Sequence, residues 1–149
     1  FDKVEMVRFC RPEDSDREHQ LLLGHAKTVL ENLGLHYRVK ELAAGDISFS
    51  AARCYDLEAW APGSKEWLEV SSVSTFTDFQ ARRANIRFKA KKSADNKKPK
   101  AAFVHTLNGS GLALPRVIVA ILETYQLADG RVRVPDALRG HMGGVEFLG

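Results

Sequence analysis

Cysteine is scarce in this chain: two residues in 149, Cys10 and Cys54, with no C-x-x-C pair. That pattern does not suggest a disulfide framework, and two free thiols are the expectation. Long apolar runs are also missing. The longest, Val117 to Leu122, falls far short of the roughly 20 residues a membrane helix needs, so no membrane partner is expected. The five histidines are scattered with no H-E-x-x-H or His/Cys cluster, so zinc is not expected. There is no G-x-S-x-G elbow, which argues against a serine hydrolase. There is no G-x-G-x-x-G fingerprint and no phosphate-loop lysine. No basic-then-apolar signal segment opens the chain. Neither sign of charge dominates: 22 Lys and Arg against 19 Asp and Glu leave a net charge of +3. This hints at a polyanionic partner without establishing one. No internal repeat is visible.

What is present reads as one soluble domain, with 44% apolar and 28% charged residues. The opening FDKVEMV reads as a strand already under way, without an initiator methionine, so the chain is expected to be a piece of a longer protein. Residues 1–10 suit a strand. Asp14 or Ser15 can cap a helix that Gly34 closes, with Leu22, Ala26, Val29, Leu30 and Leu33 along one face. HYRVKEL is a second strand, and AAGDISFSA a turn-rich loop. ARCYDLEAW and EWLEVSSVS read as two strands joined across Ala61-Pro62-Gly63-Ser64. FTDFQARRANIRFKA reads as a short helical turn and then a strand, followed by an exposed basic loop over 89–101. AFVHTLN is a strand, and Asn108-Gly109-Ser110-Gly111 a turn before LPRVIVAILETYQ. That segment reads as a buried helix, with Pro115 tolerated near its start. The tail is a turn, a short extended piece and a last short helix. The strand connections are too short for parallel crossovers. The expected class is therefore α+β, a mainly antiparallel sheet with helices on one face.

Several residues carry chemistry. Glu69 leads into Ser71-Ser72, and a carboxylate followed by hydroxyls suits a hard cation such as Mg²⁺. Strict alternation would put Glu69 and Ser71 on one face and Val70 and Ser72 on the other. A polar strand face near a sheet edge is the competing reading. The Asn108–Gly111 stretch could let a backbone approach a ligand, or be a plain turn. Arg116 is sharper, because a cation at the start of an apolar helix is costly unless paired. It either has an internal acidic partner or faces an anion such as phosphate. Glu5 lies on the opposite strand face from Val4 and Met6, which fits either exposure or a cavity. The segment Arg82–Lys100 is dense in Lys and Arg with Asp95 its single acid, and could meet nucleic-acid phosphates. It carries only Phe88 as an aromatic and so no stacking array, which favours a solvated loop.

Taken in order, the segments FDKVEMV, RPEDS, GLHYRV, GDISFSAARCYDLEAW, EVSSVSTFTDFQARRANIRF, HTLNGSGLALPRVIVAILETYQ and VPDALRGHMGG resemble the carboxyl-terminal half of the catalytic domain of the seryl-tRNA synthetase family. The resemblance covers essentially all 149 residues. It implies the class II synthetase catalytic fold, an antiparallel sheet flanked by helices, here in part, as a single partial domain running from the end of motif two through motif three. It implies ATP-dependent activation of L-serine to seryl-adenylate, then transfer to tRNA(Ser) and also tRNA(Sec), in the cytoplasm, with Mg²⁺ as cofactor and a homodimer in the full-length protein.

The resemblance also assigns roles. Phe1 matches the aromatic that stacks on adenine, and Glu5 the glutamate that holds serine. Glu69 and Ser72 match the carboxylate and hydroxyl that bind the ATP-associated Mg²⁺. Val70 and Ser71 lie in the same ATP-contact stretch, and Asn108 and Ser110 match serine-pocket residues. Arg116 matches the motif-three arginine that covers the adenine and reaches the γ-phosphate, and with Glu69 it is the residue expected to carry catalysis. Pro115 stands where many relatives carry glycine, and Val73 and Thr75 stand where many carry Cys and Asn. Motif one, the Thr-x-Glu serine loop, the motif-two arginine and the amino-terminal coiled-coil arm have no counterpart in these residues, so the isolated 149 residues are expected to be inactive. Two alternatives are a synthetase-derived non-catalytic binding or regulatory module and an amino acid:carrier-protein ligase relative.

Overall fold

A computed structural model describes residues 2–89 and 101–149. Phe1 and most of the basic loop expected over 89–101 lie outside the described residues. The elements run β1 (Lys3–Cys10), a 3₁₀ turn, α1 (Ser15–Asn32), β2 (Tyr37–Glu41), β3 (Arg53–Ala61), β4 (Glu66–Thr75) and α2 (Phe79–Ala84). They continue with β5 (Arg87–Lys89), β6 (Ala101–Phe103), β7 (His105–Ala113), α3 (Leu114–Tyr125), β8 (Val132–Arg133), α4 (Asp136–Arg139), a second 3₁₀ turn and β9 (Phe147–Leu148). Five strands form one sheet in the order β1-β7-β4-β3-β2, and each neighbouring pair is antiparallel. β5–β6 and β8–β9 are separate two-stranded ribbons. The expected α+β class, with its antiparallel sheet, is the one observed.

One face of the sheet is covered. Leu22, Ala26, Leu30 and Leu33 of α1 and Val117 and Ala120 of α3 share a core with Leu57, Ala59, Val73 and Leu107 from the strands. Helical spacing on α1 meets period-two spacing on the strands, so both apolar patterns are buried in one layer. Gly34, at φ +65°, ends the helix in the left-handed region open to glycine. The opposite face carries polar side chains, with Val7 of β1 exposed among them. Among the described residues, no helix is long and apolar enough to cross a membrane.

Two local expectations are corrected. Asn108-Gly109-Ser110-Gly111 is no turn: it lies inside β7, paired with β1 on one side and, as far as Gly109, with β4 on the other. Its glycine serves packing. A Cβ on Gly109 would lie 2.9 Å from a Val73 methyl, too close for any side chain, so glycine lets the two central strands face each other. Likewise α3 is only half buried. Val117 and Ala120 are covered, but Ile118, Val119 and Leu122 are exposed, as is Val29 on the α1 face expected to be inside. Val29, Leu33, Leu112, Ile118 and Ile121 line an apolar groove of about 240 Å³.

Candidate active site

Strand register decides which side chains meet. Glu5 pairs with Ser110, Val7 with Asn108 and Ser74 with Asn108, so Glu5, Asn108, Ser110 and Ser74 share the open face. Ser72 lies two residues from Ser74 and therefore on the same side. The register between β3 and β4 then slips: Leu57 faces Ser71, but Glu58 faces Glu69, leaving Val70 as an extra residue on β4. This is a β-bulge, which re-aims the side chains beyond it. Glu69 consequently joins Ser72 on the open face. The strict alternation expected from the sequence is overturned, because period two holds only while the ladder is regular.

The same bulge buries two of the expected ligand-contact residues. Val70 and Ser71 are about as inaccessible as a side chain can be, at 0% and 1% exposure. Neither residue, main chain included, offers more than a trace of surface to a ligand. The Ser71 hydroxyl donates to the Ser110 carbonyl at 2.6 Å. It does so just past Val73–Gly109, where the pairing of β4 with β7 stops. A side chain thus stitches the two strands where the backbone ladder gives out.

Arg116 occupies the other side of that gap. It stands in the first turn of α3, and its Nη1 donates to the Glu69 carbonyl at 2.5 Å, with the Glu69 carboxylate 3.6 Å away. Both side chains are about half exposed, 50% and 49%. Of the two readings left open by the sequence, a buried internal ion pair is not found, and the geometry leaves the anion reading open. Arg116 does have an acidic neighbour, but neither group is buried, so the pair costs little desolvation and can be exchanged for another anion. Four N–H donors of the guanidinium remain beyond the one on the carbonyl.

On the far side of β7, the Ser110 hydroxyl donates to Glu5 Oε2 at 3.2 Å, and Lys3 Nζ lies 3.1 Å from the same oxygen. Ser110 is buried and Asn108 half-buried. A carboxylate, a hydroxyl and an amide thus converge from two neighbouring strands. The expected serine-side residues, Glu5, Asn108 and Ser110, are brought together, and so are the ATP-side residues Glu69, Ser72 and Arg116. The two groups are adjacent, separated by the opening between β7 and β4. Phe1 lies outside the described residues.

The structure adds residues that sequence reasoning passed over. Cys54, Asp56 and Glu58 alternate along β3 and face Ser74, Ser72 and Glu69. The Ser72 hydroxyl lies 3.1 Å from the Cys54 sulfur, and Asp56 Oδ1 lies 3.8 Å from it. Glu58 is held by Arg38 at 2.5 Å and Lys40 at 3.2 Å. Although burial opposes ionisation, these two cations hold its carboxyl below the usual range. The signal was available, since C-x-D-x-E on a predicted strand puts three such groups on one face. Its partner strand was not.

The donors on β4 fit a hard divalent cation, being a carboxylate and a hydroxyl on one face with a second carboxylate opposite. Among the described residues no cluster of three His, Cys, Asp or Glu side chains is placed to hold a metal alone. A cation here would complete its shell with substrate oxygens and water, as Mg²⁺ commonly does.

The family model for the tRNA synthetase class II core domain (G, H, P, S and T) matches residues 1–125. A serine–tRNA ligase of Thermomicrobium roseum is 56% identical over 149 residues, all of this chain and 32% of that protein. One from Oleidesulfovibrio alaskensis is 60% identical over 148 residues, 99% of this chain and 34% of that protein. Among solved structures, seryl-tRNA synthetase of Pyrococcus horikoshii complexed with ATP superposes with TM-score 0.87 at 42% identity, over 97% of this chain and 31% of that one. The cytoplasmic serine–tRNA ligase of Naegleria fowleri in complex with AMP also gives 0.87, at 34% identity, over 99% of this chain and 34% of that one. The chain thus spans about a third of the length of the relatives it matches.

Proposed function

The chain belongs to the class II tRNA synthetase core family, and from that premise we propose that it supplies the carboxyl-terminal half of the catalytic domain of a serine–tRNA ligase. The reaction is activation of L-serine by ATP and transfer of the seryl group to tRNA(Ser), and also to tRNA(Sec). The working protein is a homodimer in the cytoplasm. One observation carries this reading: the bulge at Val70 sets Glu69 and Ser72 on the same face as Glu5, Asn108 and Ser110, with Arg116 at their edge.

In the first step a serine carboxylate oxygen attacks the α-phosphorus of ATP. The bond to the bridging oxygen breaks and pyrophosphate leaves. In the second, a hydroxyl of the terminal ribose of the tRNA attacks the seryl carbonyl and AMP leaves. Neither step needs a protein nucleophile. Positioning and charge neutralisation are what the site must provide. Glu5 accepts hydrogen bonds from the serine ligand, with Ser110 fixing the carboxylate and Asn108 beside it. Alanine would leave those groups unpaired, and a site built on polar pairing rejects such an analogue strongly. Arg116 trades its loose contact with the Glu69 carboxylate for the γ-phosphate, with Nη1 still anchored on the Glu69 carbonyl. Glu69 and Ser72 would hold Mg²⁺, which when bound neutralises phosphate charge.

The test is serine-dependent exchange of pyrophosphate into ATP by the polypeptide that carries this chain. Glu5→Ala should raise the KM for serine by about tenfold or more while the KM for ATP stays within about twofold, the loss of a charged hydrogen bond being worth roughly 1.5–3 kcal/mol. Absence of exchange in the unsubstituted protein, or an equal rise in both constants, would refute the reading.

A further inference from the structure

Glu123 lies two helical turns beyond Arg116 on α3, and seven residues return a helix nearly to the same stripe. Its carboxylate is engaged by the β3–β4 turn. Oε2 accepts hydrogen bonds from the Gly63 N–H at 2.9 Å, the Ser64 N–H at 3.1 Å and the Ser64 hydroxyl at 3.3 Å. Gly63 makes room for this: a Cβ there would sit 3.0 Å from the carboxyl carbon and 3.1 Å from Oε2. Helix α3 is therefore pinned to the β3–β4 hairpin at two points on one stripe, Arg116 on the Glu69 carbonyl and Glu123 on the turn.

Elsewhere α3 packs on the core through Val117, Ala120 and Ile121, and its Tyr125 hydroxyl donates to the Leu33 carbonyl beyond α1 at 2.7 Å, a tether to the helix layer and not to the hairpin. Apolar packing is non-directional and tolerates sliding. The β4–β7 ladder ends at Val73–Gly109, and the Ser71 hydroxyl on the Ser110 carbonyl extends the join by one point that still falls short of Glu69. The aim of the Arg116 guanidinium therefore depends on how far α3 stands from β4, and the Glu123 carboxylate sets that distance from the far end. We infer that Glu123 is a positioning residue for Arg116, acting on the nucleotide and not on the amino acid. This rests on the serine–tRNA ligase reading above. Serine is held by β1 and β7, which Glu123 does not touch, so the two substrates should respond differently.

The experiment is pyrophosphate exchange by the polypeptide that carries this chain, with ATP and serine varied separately well below its melting temperature. Glu123→Ala should raise the KM for ATP about tenfold, the scale of one charge-assisted hydrogen bond, and leave the KM for serine within about twofold. Glu123→Gln, which keeps an acceptor oxygen, should recover most of the ATP affinity. Gly63→Ala, which crowds the same carboxylate from the turn side, should reproduce the split. If both constants rise together, or neither moves while the protein only melts earlier, Glu123 is structural and the inference is overturned. If Glu123→Ala does not fold, the Gly63→Ala and Glu123→Gln pair decides in the same way. If the unsubstituted protein shows no exchange, the parent reading fails and this inference with it. Exchange in the unsubstituted protein with no ATP effect in the variants sinks this inference alone.

Discussion

Arg116 shows how a single residue can be legible in type but not in setting. Its place before an apolar run marked it as a cation with something to bind. Only the fold shows that it is half exposed and rests on a main-chain carbonyl. Such a cation keeps its freedom to bind phosphate. Arg116→Ala should lower the rate of pyrophosphate exchange by roughly 100-fold, the usual scale for removing one positioned donor from developing charge. Steady-state exchange assays at saturating serine would measure it, and a change below a few-fold would speak against a phosphate role. Gly109 is the complementary case, a residue whose reason lies wholly in a neighbour. Gly109→Ala should destabilise by about 1–3 kcal/mol through its clash with Val73. The double substitution with Val73→Ala should recover part of that in denaturant titrations, because the two residues share one contact.

At the scale of elements, α1 is coupled to β4 by a buried histidine. His19 is 1% exposed, its Nε2–H donates to the Val73 carbonyl at 2.9 Å, and its Nδ1 has no hydrogen-bond partner among the described residues. Tyr55 lies against the ring at 5.2 Å between centroids. Burial holds the folded-state pKa below the ordinary 6.5, only partly offset by the bond to Val73. Above about 6.5 both folded and unfolded states are neutral, and the full contribution to stability is present. As pH falls below that, the unfolded chain takes up the proton first, so stability is lost progressively until the depressed folded-state pKa is passed. Melting temperatures between pH 7.5 and pH 5 should therefore decline, and His19→Gln should flatten the decline. An unchanged slope would show that other groups govern it. The strands themselves were legible because their alternation is local. The bulge at Val70 was not, since an extra residue exists only relative to the partner strand it fails to match.

The whole molecule presents surfaces that look unfinished. Val7 and Phe9 stand exposed on β1, an edge strand of the sheet, while Ile118, Val119 and Leu122 stand out from α3. Exposed edges and apolar patches of this kind invite association. Residues 1–149 expressed alone should accordingly self-associate with rising concentration in sedimentation measurements. They should show no serine-dependent pyrophosphate exchange above background. Robust exchange by a monodisperse preparation would contradict the view that the site draws on groups beyond this chain.

The stretch Val104–Gln126 separates what each level decided. Sequence by itself determined the class of fold, most of the run of strands and helices, and the residue types proposed for the site, because periodicity, turn chemistry and motif identity are local properties of the chain. Tertiary structure alone decided that Asn108 to Gly111 is the middle of a strand, that Glu69 and Ser72 share a face, and that Arg116 and Glu123 both grip the β3–β4 hairpin. Each of these depends on register between segments far apart in sequence. Register is set by which faces bury together, a condition that no single segment contains.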